Sequence, residues 1–409
     1  MKHFAFTCQG ESHKATDKPC QDYSYSSVED GVSIAIVCDG HGGERYFRSD
    51  VGSRLCTEIT VEAIKLFVAN IDSSIFIDKA LTQRKAIAEM EDEKLTPTDN
   101  ALRQLFSSII ATWNQEIATY TEQHPLTEVE LAKVPPKYIE AFRNNESLEK
   151  TYGCTLMAYV QTSQYWFAFH IGDGKCVSFN EGEPLWQEPI AWDERCFLNK
   201  TTSICDSDAL NEFRYTYCGD GSFPVAVYLG SDGMDDSFGP MENLVEFYMQ
   251  VSKLLAKNND KEAKESIEET LPVLSKRGSQ DDMSLAYIYD ECRLPKIVQS
   301  ILNAQIKRLK EGIAVLEERV LQESEKYNTL LYATARKDQI ERDYAKNNIA
   351  KLNERLSAET KKLEIRLNEL NPERVNSSNY GKHCLAKTPS KRLKNRQTRF
   401  VKFKRRTHK

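Results

Sequence analysis

The chain has 409 residues, 40% of them hydrophobic and 28% charged, which is enough apolar material for a real core and enough charge for a long solvated surface. No run approaches the ~20 apolar residues that a membrane helix needs. Met1-Lys2-His3-Phe4 leads straight into an apolar/polar alternation without a signal-peptide core, so a cytoplasmic protein with no membrane association is expected. The eleven cysteines are scattered singly with no CxxC pair, the pattern of reduced thiols. The net charge of −6 hides an asymmetry: residues 371–409 hold thirteen Lys/Arg against the single acid Glu373, which leaves −18 on the first 370 residues.

In chain order, strand-like runs occur at Phe4–Cys8, Val32–Cys38, Thr155–Val160, Tyr165–Ile171, Val225–Leu229 and Met283–Tyr289. They are rich in β-branched and aromatic residues and bounded by Gly, Asp and Ser. Helical patterns fall at about 44–70, 100–122, 241–256 and 261–275. Neighbouring strand runs joined by short polar links, such as Gln161–Gln164, favour antiparallel hairpins over repeated βαβ units. The charged segment Ile71–Lys150 reads as helices and loops on the outside of the domain. Residues 1–292 are therefore expected to form one mixed α/β domain.

Beyond Pro295 the texture changes. Lys296–Leu370 contains no proline and one glycine, Gly312. Apolar residues recur at Ile306, Leu309, Ile313, Leu316 and Val320, and again at Ile349, Leu352, Leu356, Leu363 and Leu370, a heptad seam with charged flanks. The polar stretch Thr334–Asn348 either breaks the helix into a hairpin or passes through with a stutter. Periodicity alone does not separate the two, and self-association, or a partner protein, through residues 296–370 of a 293–370 arm is the expectation. Asn371-Pro372 ends the helix. The tail, 371–409, is expected to be mostly disordered in isolation. Phe400 and Phe403 among its cations would allow nucleic-acid contact, but a generic basic tail meeting acidic protein is favoured.

Five short acidic motifs sit at the ends of the expected strands: Pro19-Cys20-Gln21-Asp22, Cys38-Asp39-Gly40-His41-Gly42-Gly43, Ile171-Gly172-Asp173-Gly174, Gly230-Ser231-Asp232-Gly233-Met234-Asp235-Asp236 and Ser279-Gln280-Asp281-Asp282-Met283. Each alone is an ordinary Asp-Gly turn. Together they concentrate carboxylates at one end of a sheet, where repulsion is relieved by hard divalent cations. Carboxylate and carbonyl oxygen suit Mg²⁺ or Mn²⁺, and no His/Cys cluster at zinc spacing is present.

The order Gln-Asp, Asp-Gly-His-Gly-Gly, Gly-Asp-Gly, Ser-Asp-Gly-x-x-Asp and Asp-Asp over about residues 1–292 resembles the PPM/PP2C family of metal-dependent serine/threonine phosphatases, and Gly153-Cys154-Thr155 resembles that family's Gly-Ser-Thr strand start. The resemblance implies an α+β fold, an α-β-β-α sandwich of two antiparallel sheets flanked by helices, acting on a phosphoprotein. It implies two Mg²⁺ or Mn²⁺ ions held by Asp39, Gly40, Asp232 and Asp281, with Gln21 and Asp22 on metal-bound waters and Asp173, Asp232 and Asp236 on a weaker third ion. It places His41 as proton donor to the leaving group and implies hydrolysis by a metal-activated water. Many relatives grip the phosphate with an arginine where this chain has Asp17, as in a bacterial branch of the family that lacks it. Lys18, Lys14 and His13 are the nearby replacements. Asp282 stands where relatives often have asparagine and is expected to be tolerated. The rival reading is a catalytically weak, phosphatase-like scaffold acting through the helical arm.

Overall fold

The computed structural model describes residues 1–86, 94–196, 200–257 and 259–370. The expectations for the basic tail fall outside these residues.

Within residues 1–294 the strands are β1 (Lys2–Cys8), β2 (Tyr23–Glu29), β3 (Val32–Cys38), β4 (Thr82–Arg84), β5 (Leu156–Gln161), β6 (Trp166–Ile171), β7 (Lys175–Phe179), β8 (Trp186–Gln187), β9 (Arg214–Cys218), β10 (Ala226–Gly230) and β11 (Met283–Tyr289). The helices are α1 (Glu11–Ala15), α2 (Ser49–Asn70), α3 (Pro97–Gln123), α4 (Glu128–Leu131), α5 (Pro136–Arg143), α6 (Ala209–Glu212), α7 (Asp232–Phe238), α8 (Met241–Leu255) and α9 (Asp260–Arg277). The strands make two sheets, in the orders β1-β11-β10-β7-β8 and β2-β3-β5-β6-β9-β4. Every pairing in them is antiparallel. The expected antiparallel two-sheet sandwich is what forms.

Period-two alternation explains the layering, because successive side chains leave a strand on opposite faces. Ile34, Ile36 and Cys38 of β3 join Leu156, Ala158 and Val160 of β5 and Phe167, Phe169 and Ile171 of β6 in a core beneath the helices. The intervening Ala35, Val37, Met157, Tyr159, Trp166 and Ala168 enter a second core with Val227 and Leu229 of β10 and Ala286 and Ile288 of β11. Strands buried on both faces read as continuous apolar runs, which is why these runs stand out in the sequence. The opposite face of the second sheet carries Tyr228, stacked on Tyr248 of α8 at 4.7 Å.

The segment expected on the outside contributes to the core instead. α3 starts with a capping box between Thr96 and Asp99. It buries Leu102, Leu105, Phe106, Ile109 and Trp113 in the helix-side core. Trp113 Nε1 donates to the Gly52 carbonyl of α2 at 3.1 Å.

Residues 295–370 form a separate unit. Helix α10 (Leu294–Thr329) and helix α11 (Arg336–Leu370) are joined by a short link. Residues 305–319 of α10 and 355–366 of α11 line one groove, so the second helix runs back along the first. The break falls at 330–335, overlapping the start of the polar stretch, and the hairpin alternative is the one adopted. No helix among the described residues is long and apolar enough to cross a membrane.

Candidate active site

Antiparallel pairing gathers the acidic motifs at one edge. Asp39 and Asp173 follow the C-terminal ends of β3 and β6, and Asp232 follows β10 and opens α7. Asp22 precedes β2, whose Tyr23 pairs with Cys38, and Asp281 and Asp282 precede β11, whose Leu285 pairs with Gly230. A strand end and its neighbour's strand start are the same place, so five motifs far apart in sequence meet.

Backbone packing there is tight. A Cβ on Gly40 would lie 2.3 Å from the Gln21 carbonyl oxygen, and one on Gly233 would lie 2.0 Å from that of Asp282. Only glycine lets these loops approach so closely. Thr155 clamps the Asp39 backbone from both sides: its Oγ1 accepts from Asp39 N at 3.0 Å, and its N–H donates to Asp39 O at 2.8 Å.

The carboxylates repel one another. Burial, with Asp22, Asp232 and Asp173 adding like charge, holds Asp39 well above the usual carboxylate range. Asp22 is likewise pushed well up, by burial and then by Asp282 and Asp232. Burial lifts Asp232 to about 7, with Asp173, Asp281 and Asp236 adding like charge. Asp173 is raised by burial and by Asp236, which sits exposed on α7. Asp22 Oδ2 and Gln21 Oε1 are buried acceptors without a donor. Oxygen acceptors without donors and carboxyls forced to keep protons are what a hard cation corrects, so the residues present fit Mg²⁺ or Mn²⁺. Among the described residues no three His, Cys, Asp or Glu side chains close into a cage that would hold a metal on protein atoms alone.

Asp281 and Asp282 part company. The Asp281 side chain is 53% exposed and lies 3.8 Å from His13 Nε2. Asp282 is 2% exposed and fully engaged: its Oδ1 accepts from Gly10 N at 2.6 Å, and its Oδ2 accepts from Gln21 N at 2.6 Å and from His13 Nδ1 at 2.9 Å. Although burial opposes it, the His13 hydrogen bond and the two backbone donors hold this carboxyl below its usual range. Asp282→Asn turns one acceptor oxygen into a donor facing buried N–H groups. The variant is expected to lose about 1–3 kcal/mol of stability in urea unfolding.

The candidates for gripping phosphate also separate. His13 is buried and bound to Asp282, so it is a strut of the loop rather than a free phosphate ligand. Lys18 is exposed, with Nζ donating to the Gly42 carbonyl at 2.9 Å beside the metal-motif loop. Lys14 is exposed on α1, and Asp17 occupies a left-handed turn with φ 55°. His41 Nε2 lies 2.7 Å from Ser203 Oγ and its ring meets Tyr46 edge-on at 4.6 Å. Burial pulls its imidazole down to about 4. The His41 backbone takes part in positioning: its carbonyl accepts from Gln21 Nε2 at 3.2 Å and Ser49 Oγ at 3.0 Å.

Sequence reading missed the loop 200–206 and Arg214. Thr202 Oγ1 accepts from Gly172 N at 2.9 Å, and buried Arg214 donates to the Gly172 carbonyl and to Ala191 O at 3.0 Å. No motif marks these residues, because their partners lie 23 to 42 positions away.

A family model for protein phosphatase 2C matches residues 9–272. The chain belongs to that family and is a protein serine/threonine phosphatase of the PP2C type. No curated protein matches the sequence. Among solved structures, a bacterial serine phosphatase is 14% identical with a TM-score of 0.42, over 71% of this chain and 99% of that one. PppA of Pseudomonas aeruginosa is 15% identical at 0.40, over 70% and 96%. The catalytic domain of the phosphatase PstP, solved with two manganese ions, is 15% identical at 0.39, over 71% and 98%.

Proposed function

We propose that this phosphatase hydrolyses phosphoserine and phosphothreonine in proteins with two divalent cations, Mg²⁺ or Mn²⁺, at the strand-end carboxylates. The observation that carries the reading is the crowding of buried Asp39, Asp22 and Asp232 beside the donorless Asp22 Oδ2 and Gln21 Oε1. Asp39, the Gly40 carbonyl, Asp232 and Asp281 would hold the ions, Gln21 and Asp22 would orient waters, and Asp173, Asp232 and Asp236 would take a weaker third. When bound, such cations supply Lewis acidity toward the attacking water and neutralise charge on the phosphoryl group.

The chain's own residues do the rest. Thr155 and the close approach of Gly40 to Gln21 keep Asp39 from moving when charge changes. Asp282, through Gly10, His13 and Gln21, ties the loop carrying Lys18 to the loop carrying Asp281. Lys18 replaces the missing arginine as a point charge at the mouth of the site, with Lys14 behind it on α1. The helical arm serves assembly or targeting.

Phosphate release from a phosphothreonine peptide tests this reading. Activity is expected with Mn²⁺ and not with EDTA, and Lys18→Ala should raise KM about 5- to 10-fold with kcat nearly unchanged, the loss of roughly 1–1.4 kcal/mol of binding. Wild-type chain that releases no phosphate with any divalent cation would leave only the scaffold reading.

A further inference from the structure

The hairpin of α10 and α11 leaves a groove of about 810 Å³ between its helices. Its apolar lining comes from both sides: Leu309, Val315 and Leu316 on α10, and Ala358 and Ile365 on α11. The seam residues Ile306 and Leu316 are buried, but Val315 and Ile365 beside them remain 50% and 41% exposed, so the hairpin leaves apolar surface along the groove. A Cβ built on Gly312, in the same lining, meets nothing within 4 Å, so the wall is open at its middle.

The rim is one-sided in charge. Five cations line the groove against two acids, Glu311 and Glu359. Glu359 is already paired with Lys362 at 2.6 Å, and Arg366 is paired with Glu369 at 2.9 Å. Arg308, Arg319 and Arg355 have no ion-pair partner among the described residues. Three guanidinium groups beside exposed apolar side chains ask for carboxylates carried on an apolar stripe.

We propose that this groove receives one acidic amphipathic helix of a partner protein, which completes a three-helix bundle on the arm. The lining runs from residue 305 to 319 on α10. At 1.5 Å per residue that is about 21 Å, room for about four turns of a guest helix presenting apolar residues at i, i+3, i+4 and i+7. Charge decides against the two occupants nearest at hand. A second copy would set the same cationic rim against this one. The chain's own tail carries thirteen Lys/Arg and one acid, so it is repelled as well. The inference rests on the targeting role proposed for the arm and is independent of the metal chemistry.

The test uses the full chain and two fluorescein-labelled 18-residue helical peptides with the same leucine stripe, one flanked by glutamates and the other by lysines. Anisotropy titration is expected to show the acidic peptide binding at least 10-fold more tightly. Gly312→Trp fills the groove and replaces a helix-weakening glycine, so the fold is retained, and it should weaken that binding at least 10-fold. Arg355→Glu should weaken it as well. Aryl phosphate hydrolysis, which these variants leave unchanged, reports folding and the catalytic reading separately. Equal binding of the two peptides, or an acidic peptide indifferent to Gly312→Trp and so bound to the basic tail, overturns the proposal. So does sedimentation showing a dimer that Gly312→Trp converts to monomer, an outcome that leaves the arm an assembly role with a second copy as occupant.

Discussion

Asp39→Asn is expected to lower Mn²⁺-dependent hydrolysis of an aryl phosphate by about 10²–10³-fold, the scale of losing one preorganised electrostatic contact to the transition state, while making the metal-free protein more resistant to heat. The two effects have one cause. Asp39 lies among Asp22, Asp232 and Asp173, and its carboxyl is held well above its ordinary range. Without a cation that crowding is a cost to the fold, and asparagine removes it. With Mn²⁺ the order reverses, because the wild type gains RT ln(1 + [L]/Kd) from binding and the variant does not. Thermal unfolding in EDTA and in Mn²⁺ should therefore give curves that cross. Equal hydrolysis rates for the two proteins would remove Asp39 from the metal site.

The second large effect is on pH. In the metal-free protein Asp232 titrates at about 7 and Asp235, raised mainly by burial, at about 6, against an ordinary value of 3.8. The native state thus holds protons that the unfolded chain releases above pH 4. Unfolding releases protons across this window, so stability is greatest below the unfolded value and is lost as pH rises from about 4 to about 7. His13, raised by its Asp282 hydrogen bond, has the same sign at higher pH. Asp282, held low, has the opposite sign: its contribution is complete above its unfolded value and is lost only as pH falls below it. The melting temperature in EDTA should fall by several degrees from pH 4 to pH 7, at about 2–4 °C per kcal/mol for a domain of this order of size. Saturating Mn²⁺ should flatten the slope. A metal-free protein that becomes more stable from pH 4 to pH 7 would contradict the carboxylate crowding.

Much of this site is legible in the amino-acid sequence, for a physical reason. β3, β5, β6, β10 and β11 are buried on both faces, so their sequences are nearly unbroken apolar runs, and the aspartates fall where those runs stop. The edge strand β2 reads Tyr-Ser-Tyr-Ser-Ser-Val-Glu and lacks such a run, and β9 opens with Arg214. Arg214 is buried because the Gly172 and Ala191 carbonyls receive its guanidinium, partners that no local pattern reveals. α3 looks like an exposed charged helix because its mean composition is polar. Its apolar stripe from Leu102 through Phe106, Ile109 and Trp113 nonetheless points at the core. His13 and Asp282 are conspicuous residue types whose roles depend on each other across 269 positions, so a phosphate ligand and a loop strut look alike in sequence.

The ties from Asp282 to Gly10, His13 and Gln21 span 272, 269 and 261 residues, and β1 is completed by pairing with β11. The first and last segments of the catalytic domain are therefore neighbours in the finished site. A nascent chain that has not yet emerged through Tyr289 lacks both the second partner strand of the metal edge and the carboxylate that fastens its opening loop. At ~5–20 residues per second, synthesis holds the protein in that state for tens of seconds. A chain cut short before Asp281 is therefore expected to release no phosphate from a phosphothreonine peptide with Mn²⁺.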